Sequence, residues 1–297
     1  MTPKNEDRGQ IIEIISGILA TLERESMFAS SLAAVGGIDF ADVRPRVSGD
    51  PYKDIDWPRT IVTGNMHVRL REQERGIPVC FALDISDSLL MSGQKSKRAV
   101  AADLLEVLSQ AALRRNCILS YVLFSDRIEF TQLHIGHPQA CKMALQDIAD
   151  LRPHAHKQTD MSCVLQHLTW VLKVPTLVFI LSDFLCPSGW QSDFDLLVDR
   201  NEVIPLVIED PRDLIGPPGF AYCRGIESGT VRAAYGGNAF TNEAEPFFEG
   251  LKKNGTIVWA RFEINETQDS WYQRMADMFS LLEEHISIRS AHRRQGR

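Results

Sequence analysis

Three oxygen-bearing side chains follow the first strongly apolar segment of the chain. Asp84, Ser86 and Ser88 stand at alternate positions directly after residues 77–83, a run typical of a strand buried on both faces. A short loop can aim alternate side chains at one point. Carboxylate and hydroxyl oxygens suit a hard cation, Mg²⁺ or Mn²⁺, whereas zinc is preferentially coordinated by histidine or cysteine. The segment therefore predicts part of an oxygen-ligated metal site.

Two other loops offer matching groups. Thr159 precedes a predicted helix, and Asp183 follows the apolar run 177–181. In an open α/β sheet, ligands bind outside the carboxyl ends of the strands, where such loops meet. Two carboxylates and three hydroxyls would leave coordination positions for water or a partner, as Mg²⁺ usually requires. The predicted metal ligands are Asp84, Ser86, Ser88, Thr159 and Asp183.

Strand-like and helical segments alternate along the middle of the chain. The strand-like runs lie at residues 77–83, 117–124, 176–181 and 203–207, and the helical patterns lie at 95–114, 137–151, 161–172 and 191–200. This alternation predicts an α/β fold with a mostly parallel sheet and helices on both faces. Residues 127–133 predict an antiparallel strand at its edge.

The flanking segments complete the predicted organisation. The pattern predicts a helix over 10–34 and a half-exposed strand over 66–71, and both belong to an N-terminal extension of residues 1–75. The α/β domain spans 76–288. Its last elements are a small strand pair after the Gly/Pro-rich residues 216–219, a helix at 243–253, a strand at 256–262 and a helix at 268–285. Residues 289–297 form a basic tail, which we interpret as a solvated, frayed end.

One block of the extension has two interpretations. Gly49-Asp50 and Asp56-Trp57 are suited to a turn, a cap and an aromatic side chain that packs against the sheet. A docking surface for a partner is the alternative.

The composition excludes some classes of function. A net charge of −7 gives no support to nucleic-acid binding, and no apolar run approaches the length of roughly 18 residues that spans a membrane. The N-terminus lacks the apolar core of a signal peptide. The six cysteines include no Cys-x-x-Cys pair, and Cys80 and Cys117 lie in apolar runs. A cytoplasmic protein with reduced cysteines is the simplest expectation.

Two weaker signals are set aside. Residues 93–96, Gly-Gln-Lys-Ser, end like a phosphate-binding loop, but Ser88 stands where its first glycine is required. Ser96 and Lys97 instead predict the first turn of a helix. His154 and His156 have no third ligand nearby and are interpreted as an exposed loop.

The five predicted ligands, in their order, resemble the metal-ion-dependent adhesion site of von Willebrand A domains. That site has the pattern Asp-x-Ser-x-Ser, then a threonine, then an aspartate. The chain departs from it at Lys157-Gln158, where glycines usually precede the threonine. The resemblance implies a von Willebrand A-type domain that binds an acidic group of another protein through a divalent cation.

A second resemblance covers roughly residues 36–280. Several short matches resemble a bacterial family of von Willebrand A-like proteins that are often found beside MoxR-type AAA+ ATPases. They are Val43-Arg44-Pro45, Gly49-Asp50, residues 54–57, 72–75, 209–211 and 217–219, and Gly225-Ile226-Glu227-Ser228-Gly229. The resemblance implies a MoxR-type ATPase as partner, with this chain as its adaptor or cofactor. Longer members carry membrane helices and a β-domain in front of this region, so the resemblance does not imply a membrane location for this chain.

The sequence thus predicts a metal-dependent protein-interaction module rather than an enzyme. Two alternatives remain open. A metal-dependent phosphoesterase would use the same cation to polarise its substrate and would need a dedicated base, for which Asp87 and Asp160 are the spare carboxylates. A metal-free scaffold would bind its partner through its surface alone.

Overall fold

A six-stranded sheet forms the centre of this mixed α/β protein. The computed structural model describes residues 4–22, 43–47, 52, 55–69, 76–90, 96–150, 159–211, 220–224, 231–235 and 244–295. The strands are β1 (Val43–Pro45), β2 (His67–Arg69), β3 (Pro78–Asp84), β4 (Ile118–Phe124), β5 (Ile128–Ile135), β6 (Leu177–Ser182), β7 (Glu202–Glu209), β8 (Phe220–Arg224), β9 (Val231–Tyr235) and β10 (Ala260–Glu263).

The order of strands in the main sheet is β10-β7-β6-β3-β4-β5. Neighbouring strands run parallel from β10 to β4, and β5 pairs with β4 in the antiparallel direction at the edge. The prediction of a mostly parallel sheet with one antiparallel edge strand is confirmed. β3 lies between β6 and β4, so loops that follow it lie at the middle of the sheet.

The apolar character of the central strands follows from burial on both faces. Every residue of β3 and of β6 is buried. Along β3, Val79, Phe81 and Leu83 belong to one hydrophobic cluster, whereas Cys80 and Ala82 belong to the other. A strand with two covered faces has a continuous apolar sequence in place of an alternating one.

Helices cover both faces of the sheet. They are α1 (Lys4–Leu22), α2 (Trp57–Thr63), α3 (Asp87–Leu90), α4 (Lys97–Arg114), α5 (Pro138–Asp150), α6 (Met161–Val171), α7 (Gln191–Val198), α8 (Ala244–Lys253) and α9 (Gln268–Gln295). Apolar residues of α1, α4, α5 and α9 belong to one hydrophobic cluster, and those of α6, α7 and α8 belong to the other. Among the described helices, none combines the length and apolarity needed to cross a membrane.

The N-terminal helix α1 shares the core of the α/β layers. Ile11, Ile15 and Leu19 recur at four-residue spacing, and all three are buried in the same cluster as β3 and α9. The Ser16 hydroxyl donates a hydrogen bond to the Ala111 carbonyl oxygen of α4 (3.0 Å). Helix α1, which the sequence analysis placed in an N-terminal extension, is therefore packed against the α/β domain and shares its core. The continuation of this helix predicted over residues 23–34 lies outside the described residues.

The C-terminal elements differ from their predicted bounds. Helix α9 continues to Gln295, ten residues beyond His285, and so includes most of the predicted frayed tail. Neither Gly nor Pro interrupts the sequence before Gly296, which agrees with the observed length. Strand β10 begins only at Ala260, because pairing with β7 starts there.

Two short strand pairs lie outside the main sheet. β1 pairs with β2, and β8 pairs with β9, both in the antiparallel direction. The predicted strands at 66–71 and around the 227–229 turn are confirmed in their described parts. The Gly/Pro-rich residues 216–219 and the turn itself lie outside the described residues.

Helix α2 corrects the prediction for Trp57. The Asp56 carboxylate accepts a hydrogen bond from the Arg59 backbone N–H (3.2 Å) and caps this helix, as expected. Trp57, however, is 55% exposed, and α2 has no buried residue. Its packing against the sheet was a wrong prediction, because the helix packs chiefly against β2 of the small strand pair and leaves Trp57 mostly exposed. Gly49-Asp50 lie outside the described residues.

Candidate metal centre

Asp84 is the last residue of the central strand β3. Its side chain is fully buried, with 0% exposure. Because β3 is flanked by two parallel strands, Asp84 lies at the middle of the carboxyl edge of the sheet. This edge is the usual ligand-binding position of an open α/β sheet.

The loop after β3 turns back over Asp84. The Ser86 backbone N–H donates a hydrogen bond to Asp84 Oδ1 (2.9 Å), and α3 begins at the next residue, Asp87. The hydroxyl oxygens of Ser86 and Ser88 are 3.1 Å apart, and both side chains are buried. The alternate side chains therefore converge on one point, as the sequence predicts.

Thr159 reaches the same point from a segment 75 residues further along the chain. Its hydroxyl lies 2.9 Å from Ser86 Oγ and 3.3 Å from Asp84 Oδ2. The backbone is fixed here because the Asp160 N–H donates to the Ser125 carbonyl oxygen (2.9 Å), at the end of β4. Lys157-Gln158, the departure from the adhesion-site pattern, lie outside the described residues.

Asp160 and Ser96 both cap helices. Asp160 Oδ1 accepts a hydrogen bond from the Cys163 N–H (3.1 Å) at the start of α6. Ser96 Oγ accepts one from the Ala99 N–H (3.1 Å) at the start of α4, which confirms that this segment begins a helix. The rest of the rejected phosphate-loop pattern, and the two loop histidines at 154 and 156, lie outside the described residues.

The end of β6 supplies a second carboxylate and a hydroxyl. The Ser182 hydroxyl donates to Asp84 Oδ2 (2.6 Å) and accepts from the Phe184 N–H (3.0 Å). Asp183 Oδ1 accepts from the Leu185 N–H (3.1 Å). Phe184 has a φ of 53°, an uncommon left-handed conformation for an aromatic residue. The backbone therefore turns sharply after Asp183 and holds that carboxylate beside Asp84.

A buried lysine completes the cluster. The Lys97 ammonium lies 2.8 Å from Asp183 Oδ2, and the two side chains are 1% and 2% exposed. Lys97 is the first residue of α4.

The structure thus brings the predicted ligands into one buried cluster. Asp84, Ser86, Ser88 and Thr159 are linked by direct hydrogen bonds, and Asp183 follows the residue that donates to Asp84.

No role in the site was assigned to Ser182 or to Lys97 from the sequence. Ser182 is a hydroxyl that ends an otherwise apolar run. Lys97 lies three, four and seven residues before Val100, Ala101 and Leu104, which are all buried. This spacing places it on the core-facing side of α4, and that was the available signal.

The two carboxylates give the cluster an excess of negative charge. Burial, followed by repulsion from Asp183, raises the pKa of Asp84 to about 7. The hydrogen bonds from Ser182 and Ser86 favour the ionised form and oppose this rise. A cation placed between these oxygens would stabilise the ionised form, because opposite charge lowers the pKa of a carboxyl group.

The donor set fits Mg²⁺ or Mn²⁺. Its oxygens come from two carboxylates and from the hydroxyls of Ser86, Ser88 and Thr159, and such hard ligands are those that these ions prefer. Over the described ranges, no group of three or more His, Cys, Asp or Glu side chains is placed to hold a metal. The cluster accordingly differs from zinc sites, which are built from nitrogen and sulfur.

An open pocket of about 350 Å³ borders the cluster. Thr159 forms part of its wall, next to the exposed carboxylates Asp126 and Asp160 and the hydroxyl groups of Ser162 and Ser188. Among the predicted ligands, Thr159 therefore borders a polar opening that also carries two carboxylates.

A comparison with known families identifies the chain. Residues 42–232, well over half of the sequence, match the profile of DUF58, described as a protein of unknown function. The chain belongs to the DUF58 family. The DUF58 match includes all five predicted ligands, whereas α1 and α9 lie outside it.

The DUF58 chain is also similar to curated mycobacterial proteins. Uncharacterized proteins of Mycobacterium tuberculosis and Mycobacterium bovis are 26% identical to it over 191 residues, which are 62% of this chain. That stretch covers 59% of each relative, so the chain spans about three fifths of their length.

Two solved structures share a weaker likeness. The conserved hypothetical protein BatB from Bacteroides thetaiotaomicron is 18% identical, with a TM-score of 0.49, over 70% of this chain and 100% of that one. An aerotolerance-related membrane protein from Bacteroides fragilis is 19% identical, with a TM-score of 0.45, over 69% and 99%. These scores are too low to assign a shared fold.

Proposed function

We propose that this DUF58 chain is a metal-dependent protein-interaction module of the von Willebrand A type. It binds an acidic side chain of a partner protein through one divalent cation. The observation that carries the proposal is the convergence of the Ser86, Ser88 and Thr159 hydroxyls around the buried Asp84 carboxylate.

Each residue has a separate part in the proposed site. Ser86, Ser88 and Thr159 would contact Mg²⁺ directly, and Asp84 and Asp183 would hold it directly or through water. A bound cation would supply positive charge to this buried cluster. Because Mg²⁺ keeps some positions for water, a carboxylate from another protein can take one of them.

The remaining contacts hold the ligands in position. Ser182 orients the Asp84 carboxylate through its 2.6 Å hydrogen bond, and the Ser86 N–H fixes the other oxygen. Both carboxylates of the site are excluded from water, with exposures of 0% and 2%. Such burial strengthens the electrostatic attraction between these carboxylates and a bound cation.

The partner we propose to test first is a MoxR-type AAA+ ATPase, on the basis of the resemblance described above. In this proposal the chain is an adaptor or cofactor and not an enzyme.

Calorimetric titration with Mg²⁺ tests the site. We expect the wild type to bind one ion and Asp84→Asn to bind about tenfold more weakly or not at all, since one of two ligand charges is removed. Asp195→Asn, which removes an exposed carboxylate of α7, is the matched control and should bind as the wild type does. Binding that is unchanged in Asp84→Asn would contradict the proposed ligand set.

Partner binding is tested with the purified ATPase. We expect EDTA and Asp84→Asn each to abolish the interaction, because the partner's carboxylate is held by the cation. Retention of the partner in EDTA would instead indicate the metal-free scaffold. Hydrolysis of a generic phosphomonoester that is lost in Asp183→Asn would indicate the phosphoesterase.

A further inference from the structure

Lys97 is placed where a lysine is energetically unfavourable. Among the residues with described burial, it is the only buried lysine or arginine. Removing an ammonium group from water is costly unless a partner compensates. The start of a helix carries partial positive charge, which also disfavours a cation there.

The side chain nevertheless occupies a defined position. Ser96 caps α4 and sets the first turn, and Lys97 follows on the face that also carries Val100 and Ala101. This orientation carries the ammonium to Asp183, 86 residues away in sequence. The contact therefore joins the first turn of α4 to the residue that follows β6.

The charge count of the cluster gives Lys97 a role beyond packing. Two carboxylates and one ammonium carry a formal net charge of minus one. With a divalent cation the total becomes plus one, whereas without Lys97 it would be zero. A metal-loaded site with a net charge of plus one can be neutralised by one carboxylate from a partner protein.

We propose that Lys97 is a charge-setting residue that weakens metal binding by the isolated chain and strengthens binding of an anionic ligand to the metal-loaded site. The inference rests on the proposed function. It makes the positive charge of Lys97 the feature by which the metal-loaded site selects an acidic ligand over a neutral one. The Lys97 ammonium also donates a hydrogen bond to Asp183 Oδ2. Because this oxygen already has a partner, we expect Asp183 to contact the cation through water.

The first arm of the test measures Mg²⁺ affinity by calorimetry in chloride buffer. We expect Lys97→Met to bind Mg²⁺ about tenfold more tightly than the wild type, because a repelling charge is removed. A purely structural role predicts the opposite sign, since loss of the ion pair would disorder Asp183 and weaken binding. Unchanged or weaker binding by a folded Lys97→Met protein, with intact binding by the wild type, would overturn the inference.

The second arm uses acetate as the probe for an acidic group. Acetate at matched ionic strength should raise the apparent Mg²⁺ affinity of the wild type, because an anion that binds only the metal-loaded protein stabilises that form, and this coupling is reciprocal. The increase should disappear in Lys97→Met. An equal effect of acetate on both proteins would refute the charge-setting role.

The double variant Lys97→Met/Asp183→Asn controls for folding. Lys97→Met leaves the buried Asp183 carboxylate without its ammonium, whereas the double variant restores the net charge of the wild type and leaves no such carboxylate. We expect the increase in Mg²⁺ affinity caused by acetate to return in the double variant.

If Lys97→Met unfolds without metal, the rise in its thermal midpoint on addition of Mg²⁺ replaces calorimetry. A rise larger than that of the wild type supports the inference, and an equal or smaller rise overturns it.

Failure of the inference differs from failure of the proposed function. No Mg²⁺ binding by the wild type in either buffer would reject the proposed site. Mg²⁺ binding that requires Asp84 but is indifferent to Lys97 would reject only the inference.

Discussion

At the scale of single residues, the Asp84 carboxylate is held in place by its protein neighbours. Its two oxygens accept hydrogen bonds from the Ser86 N–H and from the hydroxyls of Ser182 and Thr159. Groups already held in place lose little further freedom on binding, which favours affinity. The Asp84 side chain is also fully buried, and this burial disfavours its ionised form when no cation is bound.

This conflict predicts an inverse dependence of stability on pH in EDTA. The Asp84 carboxyl has a pKa of about 7 in the folded protein and an ordinary pKa of about 4 when unfolded. Between these values the folded protein binds more protons, so this group's contribution to the free energy of unfolding falls as pH rises from about 4 to about 7. Urea unfolding of the wild type and of Asp84→Asn at several pH values measures it.

The comparison between the two proteins isolates the effect of Asp84. Asp84→Asn retains an acceptor for Ser182 but cannot ionise, so its stability should change less across this range. Parallel pH profiles for both proteins would show that Asp84 is not the responsible group.

At the scale of secondary-structure elements, a buried hydroxyl connects three of them. The Tyr121 hydroxyl on β4 donates to Ser109 Oγ on α4 (2.9 Å) and lies 3.0 Å from Cys141 Sγ on α5. We expect Tyr121→Phe to lower the free energy of unfolding by about 1–2 kcal/mol, because Ser109 loses a buried partner. Denaturant unfolding of the two single variants and the double variant with Ser109→Ala should give a coupling near 1 kcal/mol. Additive effects would contradict this account.

Helix α2 gives a contrasting prediction. Ile61 and Val62 are 78% and 85% exposed. Ile61→Thr and Val62→Thr should therefore change the free energy of unfolding by no more than about 0.5 kcal/mol. Thermal unfolding measures this, and a large loss of stability would show that α2 is covered in solution.

The sequence was informative where a residue's role depends on neighbours in the chain. The positions of Asp84, Ser86 and Ser88 at the end of a strand could be predicted because a buried strand and the loop after it are both visible locally. The partner of Lys97 was not predictable, since it lies 86 residues away. The exposure of Trp57 was missed for a related reason. An aromatic side chain indicates burial on average, but only the three-dimensional packing shows which surface, if any, covers it.

At the scale of the whole molecule, α1 belongs to the same core as the sheet. The DUF58 match begins at residue 42, after this helix. Ile15 is fully buried at 0% exposure, whereas its neighbour Ile14 is 38% exposed. We expect Ile15→Ala to cost about 2–4 kcal/mol and Ile14→Ala to cost much less. Chemical denaturation of both variants measures the difference, and equal costs would mean that α1 is not docked in solution.

The central position of β3 has a mechanical consequence for the proposed partner contact. Asp84 ends a strand that is hydrogen-bonded to a parallel neighbour on each side. A force applied to Asp84 along the strand axis would load both ladders in shear at once, so many hydrogen bonds would share it. A ligand at an edge strand would instead allow bonds to separate one after another. A partner that exerts force through this cation would therefore pull on the part of the sheet that is most resistant to extraction.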